Sequence, residues 1–425
     1  MLSRRKGPLI VTALVVTSGM AFSFMWLPLT VEGFYHQFWV TPGDIWAAYR
    51  TGQWIGWGAY GSLYSATASY ITFPGLAIVL APLALFTQAL GLSDSFPYAI
   101  PHPTAWLLLG PVEVLLGCSA LFALDALCER LGVSARRRVA VTVVEGVLLW
   151  PLLVRWGHPE DAISLAFAVY SLIAVLDHRW SRAGWLLGAA ISFQPLVLLV
   201  VPVFISTGSW IQIRRLLLRT AGLPASLLVL PFASDWHDTW HAVVEQPTKV
   251  ALAHVTPWTF LAPKLGAGYV SCGPTRLIAI TGACWIGWYV ARRSVVEEGA
   301  IKASTLVWCA AICLGLRFAT ESALEGYYVW PAIALFVVAG GVCSKPRLLV
   351  SATLAIGTTV ATCWRFGSWW VWWGTTMTAL ILVALSSVRA GAQAGESLGG
   401  PCAGRVPQRD LTRLAPRSST SVSVS

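Results

Sequence analysis

Apolar runs recur along this chain at lengths that suit a bilayer. A spanning helix needs about 20 apolar residues. Such runs lie at roughly 8–28, 104–127, 139–154, 161–177, 216–233, 276–291, 303–318, 328–343, 348–364 and 369–388. Two stretches break the pattern. Residues 183–207 carry Gln194-Pro195 at their centre, and residues 72–92 are interrupted by Pro74 and Pro82. The pattern predicts an all-α polytopic membrane protein.

Positive charge orients these runs. Let 183–194 and 195–207 be two short crossings that meet at Phe193-Gln194-Pro195, and let 72–92 enter the membrane without a net crossing. About 12 crossings follow, in a helical bundle with structured outer loops and both termini inside. Twenty-two of the 29 lysines and arginines then fall inside, among them Arg4, Arg5, Lys6, Arg136, Arg137, Arg138, Arg292 and Arg293. Arg50, Arg155, Lys249, Lys264, Arg276, Arg317 and Arg365 remain outside. This is the asymmetry of the positive-inside rule. The alternative, with 72–92 crossing and 183–207 as one helix, puts Arg136 to Arg138 outside. The preferred topology gives a transmembrane domain over 1–390, with outer loops at about 29–103 and 234–275. Residues 391–425, rich in Gly, Ser, Pro and Arg, read as a disordered cytoplasmic tail.

Composition agrees. The chain is 56% hydrophobic and 11% charged, with mean hydropathy +0.67. Soluble chains average about 25% charged residues. The net charge of +10 sits between apolar runs, so it marks membrane topology and not a nucleic-acid surface. Arg4, Arg5 and Lys6 before an apolar run look like a signal peptide. No small-residue cleavage site follows, so an uncleaved first helix is expected. The nine cysteines form no CxxC; Cys118, Cys128, Cys284, Cys309, Cys313, Cys343 and Cys363 lie in or at the ends of apolar runs and read as packing residues.

Polar chemistry collects on the outer side in this topology. Six of the seven histidines are there: His36, His102, His158, His237, His241 and His254. In "PGDIWAAYRTG", Asp44 is a good helix cap. The aromatics after it (Trp46, Tyr49, Trp54, Trp57, Tyr60, Tyr64 and Tyr70) suit a helix lying in the interface. In "RWGHPEDAISLAF", Pro159, Glu160 and Asp161 fit the start of a hydrophobic helix. Arg155 and His158 beside that start could hold a phosphate. Gln194 in "SFQP" should line a protein cavity, or else bond the carbonyls freed by a kink. Arg317, Glu321 and Glu325, spaced i, i+4, i+8, read most simply as a solvated ion-pair face leading to Tyr327-Tyr328. "DWHDTWH" sets His237 and His241 one turn apart, but no metalloprotease glutamate or third ligand follows; Trp236 and Trp240 read as interface anchors. "RFGSWWVWW" reads as an aromatic belt.

The order of these pieces resembles the GT-C fold of polytopic glycosyltransferases, and more narrowly glycosyltransferase family 87. The matching segments are "GDIWAAYRTG…GSLY", "FPG", "GHPEDA", "AGWLLGAAISFQPLVLLVVP" and "EGYYVWP", over roughly residues 8–388. The resemblance implies an inverting hexosyl transfer, of mannose, at the outer face of the plasma membrane. The donor would be a polyprenyl-phosphate sugar, and the acceptor a glycolipid or glycan. It makes Asp44 the general base and Arg155, His158, Gln194 and His254 donor-phosphate contacts. Tyr49, Tyr64, Glu160, Asp161, Glu325, Tyr327 and Tyr328 become acceptor or sugar contacts. It implies no cofactor and assigns no metal ligand, although a divalent metal is left open. Gln194 stands where the family commonly has lysine, and "HPED" where many members have Gly-Gln. The competing class is a transporter or flippase for a lipid-linked envelope precursor, whose feature would be the mid-helix acids Glu113 and Glu145.

Overall fold

The structure, a computed structural model, describes residues 5–31, 34–65, 70–94, 100–245, 249–251, 255–266, 268–296, 303–322, 324–364 and 366–388. His254 and the expected tail at 391–425 lie outside the described residues. In chain order the helices are α1 (Lys6–Ser23), α2 (Asp44–Gly56), α3 (Gly75–Ala89), α4 (Trp106–Gly117), α5 (Ser119–Arg130), α6 (Ala135–Trp150), α7 (Pro159–Leu176) and α8 (Trp180–Phe193). There follow α9 (Val201–Ile205), α10 (Trp210–Ser234), α11 (Trp236–Trp240), α12 (Gly273–Val296), α13 (Ala303–Thr320), α14 (Trp330–Cys343), α15 (Lys345–Cys363) and α16 (Trp369–Ser387). Among the described residues, nine helical stretches are long and apolar enough to cross a membrane. The protein is an all-α polytopic membrane protein.

Two small sheets interrupt the helices. The first apolar run stops at Ser23, short of the expected 28, and the chain passes into an antiparallel hairpin of β1 (Trp26–Val31) and β2 (Phe34–Trp39). The aromatic and β-branched content of these segments favours strand. The second sheet orders β3 (Lys249–Ala251), β5 (Tyr269–Ser271) and β4 (Lys264–Gly266), with β5 central.

One of the two irregular apolar stretches folds back on itself. α8 ends at Gln194, whose extended backbone (φ −148°, ψ 114°) breaks the helix before Pro195. A 3₁₀ segment, Pro195–Val200, and α9 then return the chain, so that a side chain added at Gly208 would meet the ring of Trp180 at 2.8 Å. Residues 183–207 are therefore a hairpin and not one straight helix. Residues 72–92 hold one helix, α3, with Pro82 inside it. Gly75 lies against Ser192 at the end of α8, and Ser93 after α3 accepts the backbone N–H of Thr104 just before α4.

Charges gather at opposite ends of α7. Near its C-terminus, Arg130 pairs with Asp177 at 2.8 Å. Arg138 pairs with Asp125 at 2.7 Å, and Arg5 pairs with the same carboxylate. Arg5 and Arg138 thus share one end of the bundle. Eighteen residues of helix, about 27 Å, separate that end from His158.

The aromatics of α2 face inward, contrary to the expectation of an interface helix. Trp46 and Tyr49 are buried, and Trp46 packs 5.9 Å from Trp106 of α4. Trp57, at the C-terminal end, is exposed. α2 has α3 and α4 as apolar partners, which bury more aromatic surface than a headgroup layer would. The C-terminal belt is mixed as well. Trp369 and Trp370 are exposed, while Trp372 is buried and donates its Nε1–H to the carbonyl of Ala361 at 2.8 Å.

Candidate active site

The site is built on the turn before α7. A single π-type turn, Pro151–Trp156, ends at Gly157, whose φ is +69°. Pro159 then opens α7, where its fixed φ suits the first turn. Gly157 lies against Pro42 and Ile45; a side-chain carbon there would sit 2.6 Å from Pro42 Cβ. That close approach brings the turn beside the start of α2.

His158 is the hub. Its Nε2 lies 2.8 Å from Asp44 Oδ2 and its Nδ1 lies 2.6 Å from Glu160 Oε1. Its ring stacks on Tyr327 with centroids 3.9 Å apart. Burial favours the neutral imidazole. The Glu160 charge and the hydrogen bonds to Asp44 and Glu160 outweigh it and hold His158 well above the usual histidine range. Burial likewise raises Asp44, but the hydrogen bond and charge of His158 outweigh it and leave this carboxyl below its ordinary value. The side chain of Asp44 is 64% exposed, against 11% for His158, so the aspartate is the accessible member of the pair. Asp44 is not a cap: the N-cap of α2 is Gly43, with no side-chain capping bond.

Other expected residues converge here. Gln194 Nε2 donates to Asp161 Oδ1 at 3.0 Å, so the break in α8 is joined to the first turn of α7. Ser164 Oγ adds a bond to the carbonyl of Ala190 at 2.8 Å. Tyr327 and Tyr328 pack edge to face at 4.8 Å, and the Arg317 guanidinium covers the Tyr328 ring at 4.0 Å. Glu325 is half-buried at the N-cap of the 3₁₀ turn Gly326–Val329 that carries both tyrosines.

The solvated ion-pair face is corrected. The Glu321 side chain is 1% exposed and is gripped from two sides, by Arg317 at 3.2 Å and by Arg276 of α12 at 3.4 Å. The loop at 255–266 closes over this pair: Thr256 Oγ1 donates to the Glu321 carbonyl at 2.8 Å and Trp258 Nε1 to the Ala319 carbonyl at 2.6 Å. Helical spacing made the Arg317–Glu321 pair visible in the sequence. Arg276 comes from a distant segment and carries no local signal.

Several expected contacts lie elsewhere. Tyr49 bonds Thr87 between α2 and α3, and Tyr64 donates to the Thr72 carbonyl at 2.9 Å and stacks on Tyr70; both tyrosines are buried structural groups. Arg155 is not among the partners of His158. It lies 5.3 Å from the Trp156 ring and lines an apolar cavity of about 710 Å³ between α1, α6 and α15, with Ser18, Thr359 and Trp364 also on its wall. His237 pairs with Asp238 and His241 with Glu245, and Cys309 and Cys313 are buried free thiols. Among the described residues, His158, Glu160 and Asp161 are the group whose nitrogen and carboxylate atoms come within 4.8 Å of one another.

Compared with known proteins, the sequence matches no family model and no curated protein.

Proposed function

We propose that the protein is a membrane glycosyltransferase with Asp44 as its general base. It moves a sugar, mannose by the resemblance, from a polyprenyl-phosphate donor to a lipid- or glycan-linked acceptor at the outer face of the plasma membrane. The observation that carries this reading is the Asp44–His158 pair: an exposed carboxylate, kept ionised and oriented by a buried imidazolium. In the reaction, Asp44 takes the proton of an acceptor hydroxyl. The hydroxyl oxygen bonds the anomeric carbon from the face opposite the phosphate. The bond from that carbon to the phosphate oxygen breaks, and its electron pair leaves on the polyprenyl phosphate. A phosphate is a good leaving group, so one carboxylate suffices, unlike the pair a glycosidase needs.

The cavity at Arg155 supports the lipid half. Its walls on α1, α6 and α15 are mostly apolar, and it carries one arginine. Among the described residues, Arg155 has no carboxylate partner. A polyprenyl tail fits such walls, and its phosphate fits such an arginine. Both ring nitrogens of His158 are already engaged, so Arg155 is the better phosphate contact of the two. The topology that goes with this function has about 12 crossings and cytoplasmic termini. Incubating membranes that contain the protein with labelled polyprenyl-phosphate mannose tests it: label must pass to a new glycolipid or glycan, and no transfer above empty membranes overturns the reading.

One observation favours a transporter as the second reading. Glu113 and Glu145 are fully buried in α4 and α6, with neither carboxylate oxygen bonded. Movement of a labelled lipid-linked precursor across proteoliposomes, without glycosyl transfer, would favour it.

A further inference from the structure

We propose that His158, Glu160 and Asp161 form a binding site for one divalent transition-metal cation, Mn²⁺ or Zn²⁺, at the start of α7. One ring nitrogen and one oxygen from each carboxylate lie within 4.8 Å of one another. A cation with nitrogen and oxygen ligands at about 2.0–2.2 Å spans ligand pairs up to about 4.4 Å apart, so small side-chain shifts close the set.

Unpartnered buried oxygens point the same way. Glu160 is 9% exposed and Asp161 is 3% exposed, yet Glu160 Oε2 and Asp161 Oδ2 have no hydrogen-bond partner. Buried acceptors without donors are costly, and buried carboxylates without counter-charge are costlier. His158 contacts Asp44 and Glu160, and neither contact reaches the open oxygen of Glu160 or of Asp161. Arg317, within electrostatic reach of Asp161, is held by Glu321. A divalent ion satisfies the open oxygens of Glu160 and Asp161 together.

The ligand types select the ion. Calcium and magnesium favour all-oxygen sets, whereas an imidazole with two carboxylates suits manganese or zinc. The ion takes the place of the proton between His158 Nδ1 and Glu160. Nε2–H keeps its bond to Asp44, the usual arrangement in which a carboxylate fixes the other nitrogen of a metal-bound histidine. The ring stays against Tyr327.

This site does not rest on the transferase reading, because its test counts metal and not product. The full-length protein is purified in detergent, stripped with chelator, and titrated with Mn²⁺ and with Zn²⁺. Bound metal is measured after dialysis. Wild type is expected to hold one equivalent, and so is the His237→Ala/His241→Ala variant, which lacks the surface histidine pair. Glu160→Gln and Asp161→Asn are expected to lose affinity by at least about 10-fold. Electron spin-echo measurements on Mn²⁺-loaded wild type, which need no variant to fold, should show coupling to one imidazole nitrogen. Absence of an equivalent of either metal, absence of that coupling, or full affinity in both carboxamide variants overturns the proposal. The first two outcomes would leave a protonated His158 as the cation of the cluster.

Discussion

Nε2 of His158 meets the Asp44 carboxylate at 2.8 Å across 114 residues of sequence. The contact joins the first helix after the β-hairpin to the turn that opens α7. Everything proposed about catalysis depends on how that turn is built.

Gly157 is the first point at which to test it. A β-carbon there requires a left-handed backbone and collides with Pro42. Gly157→Ala is expected to cost about 1 kcal/mol or more from backbone strain alone. It should lower the melting temperature and reduce transfer together, because it pushes His158 away from Asp44. A variant with unchanged melting and unchanged activity would show that the turn tolerates other geometries.

Arg155 tests the lipid-phosphate contact. Arg155→Ala is expected to raise the KM for donor about 10-fold, the value of one charged hydrogen bond, and to leave kcat little changed. Arg155→Lys should recover part of the loss. Donor-concentration series on membranes measure this, and an unchanged KM would place the phosphate elsewhere.

Glu321 tests the buried ion pair beside the site. Glu321→Gln leaves Arg317 and Arg276 without their shared carboxylate. Breaking such a pair from one side costs about 3 kcal/mol or more. Thermal unfolding in detergent should show a clear loss of stability. A neutral result would mean that water or lipid replaces the carboxylate.

Sidedness is tested by single cysteines in a cysteine-free background. Ser134 and Ser234 are both exposed. A cysteine at Ser234 should react with an impermeant reagent from outside, and one at Ser134 should not. Labelling of Ser134 from outside would reverse the assigned orientation.

The helical bundle was legible because bilayer spans announce themselves by length and apolarity, and because Gln194-Pro195 marks a break that no straight helix accommodates. The site was legible in part. Asp44, His158, Glu160, Asp161, Gln194 and Tyr327 carry polar or helix-start signals and do converge. Tyr49 and Tyr64 did not separate from them, since a buried structural tyrosine and a substrate tyrosine look alike in one sequence. Pairings between distant segments, such as Arg276 with Glu321, leave no local trace. The β-hairpin was hidden because Trp26 to Val31 continues an apolar run and differs from helix only in its β-branched and aromatic content.

The most direct measurement is the turnover of Asp44→Asn with polyprenyl-phosphate mannose as donor. Asparagine keeps the size of aspartate and can still hydrogen-bond His158, but it cannot take a proton from the acceptor. The account predicts a folded protein with donor KM near wild type and kcat lower by about 100-fold or more. A folded Asp44→Asn protein with wild-type kcat would contradict it.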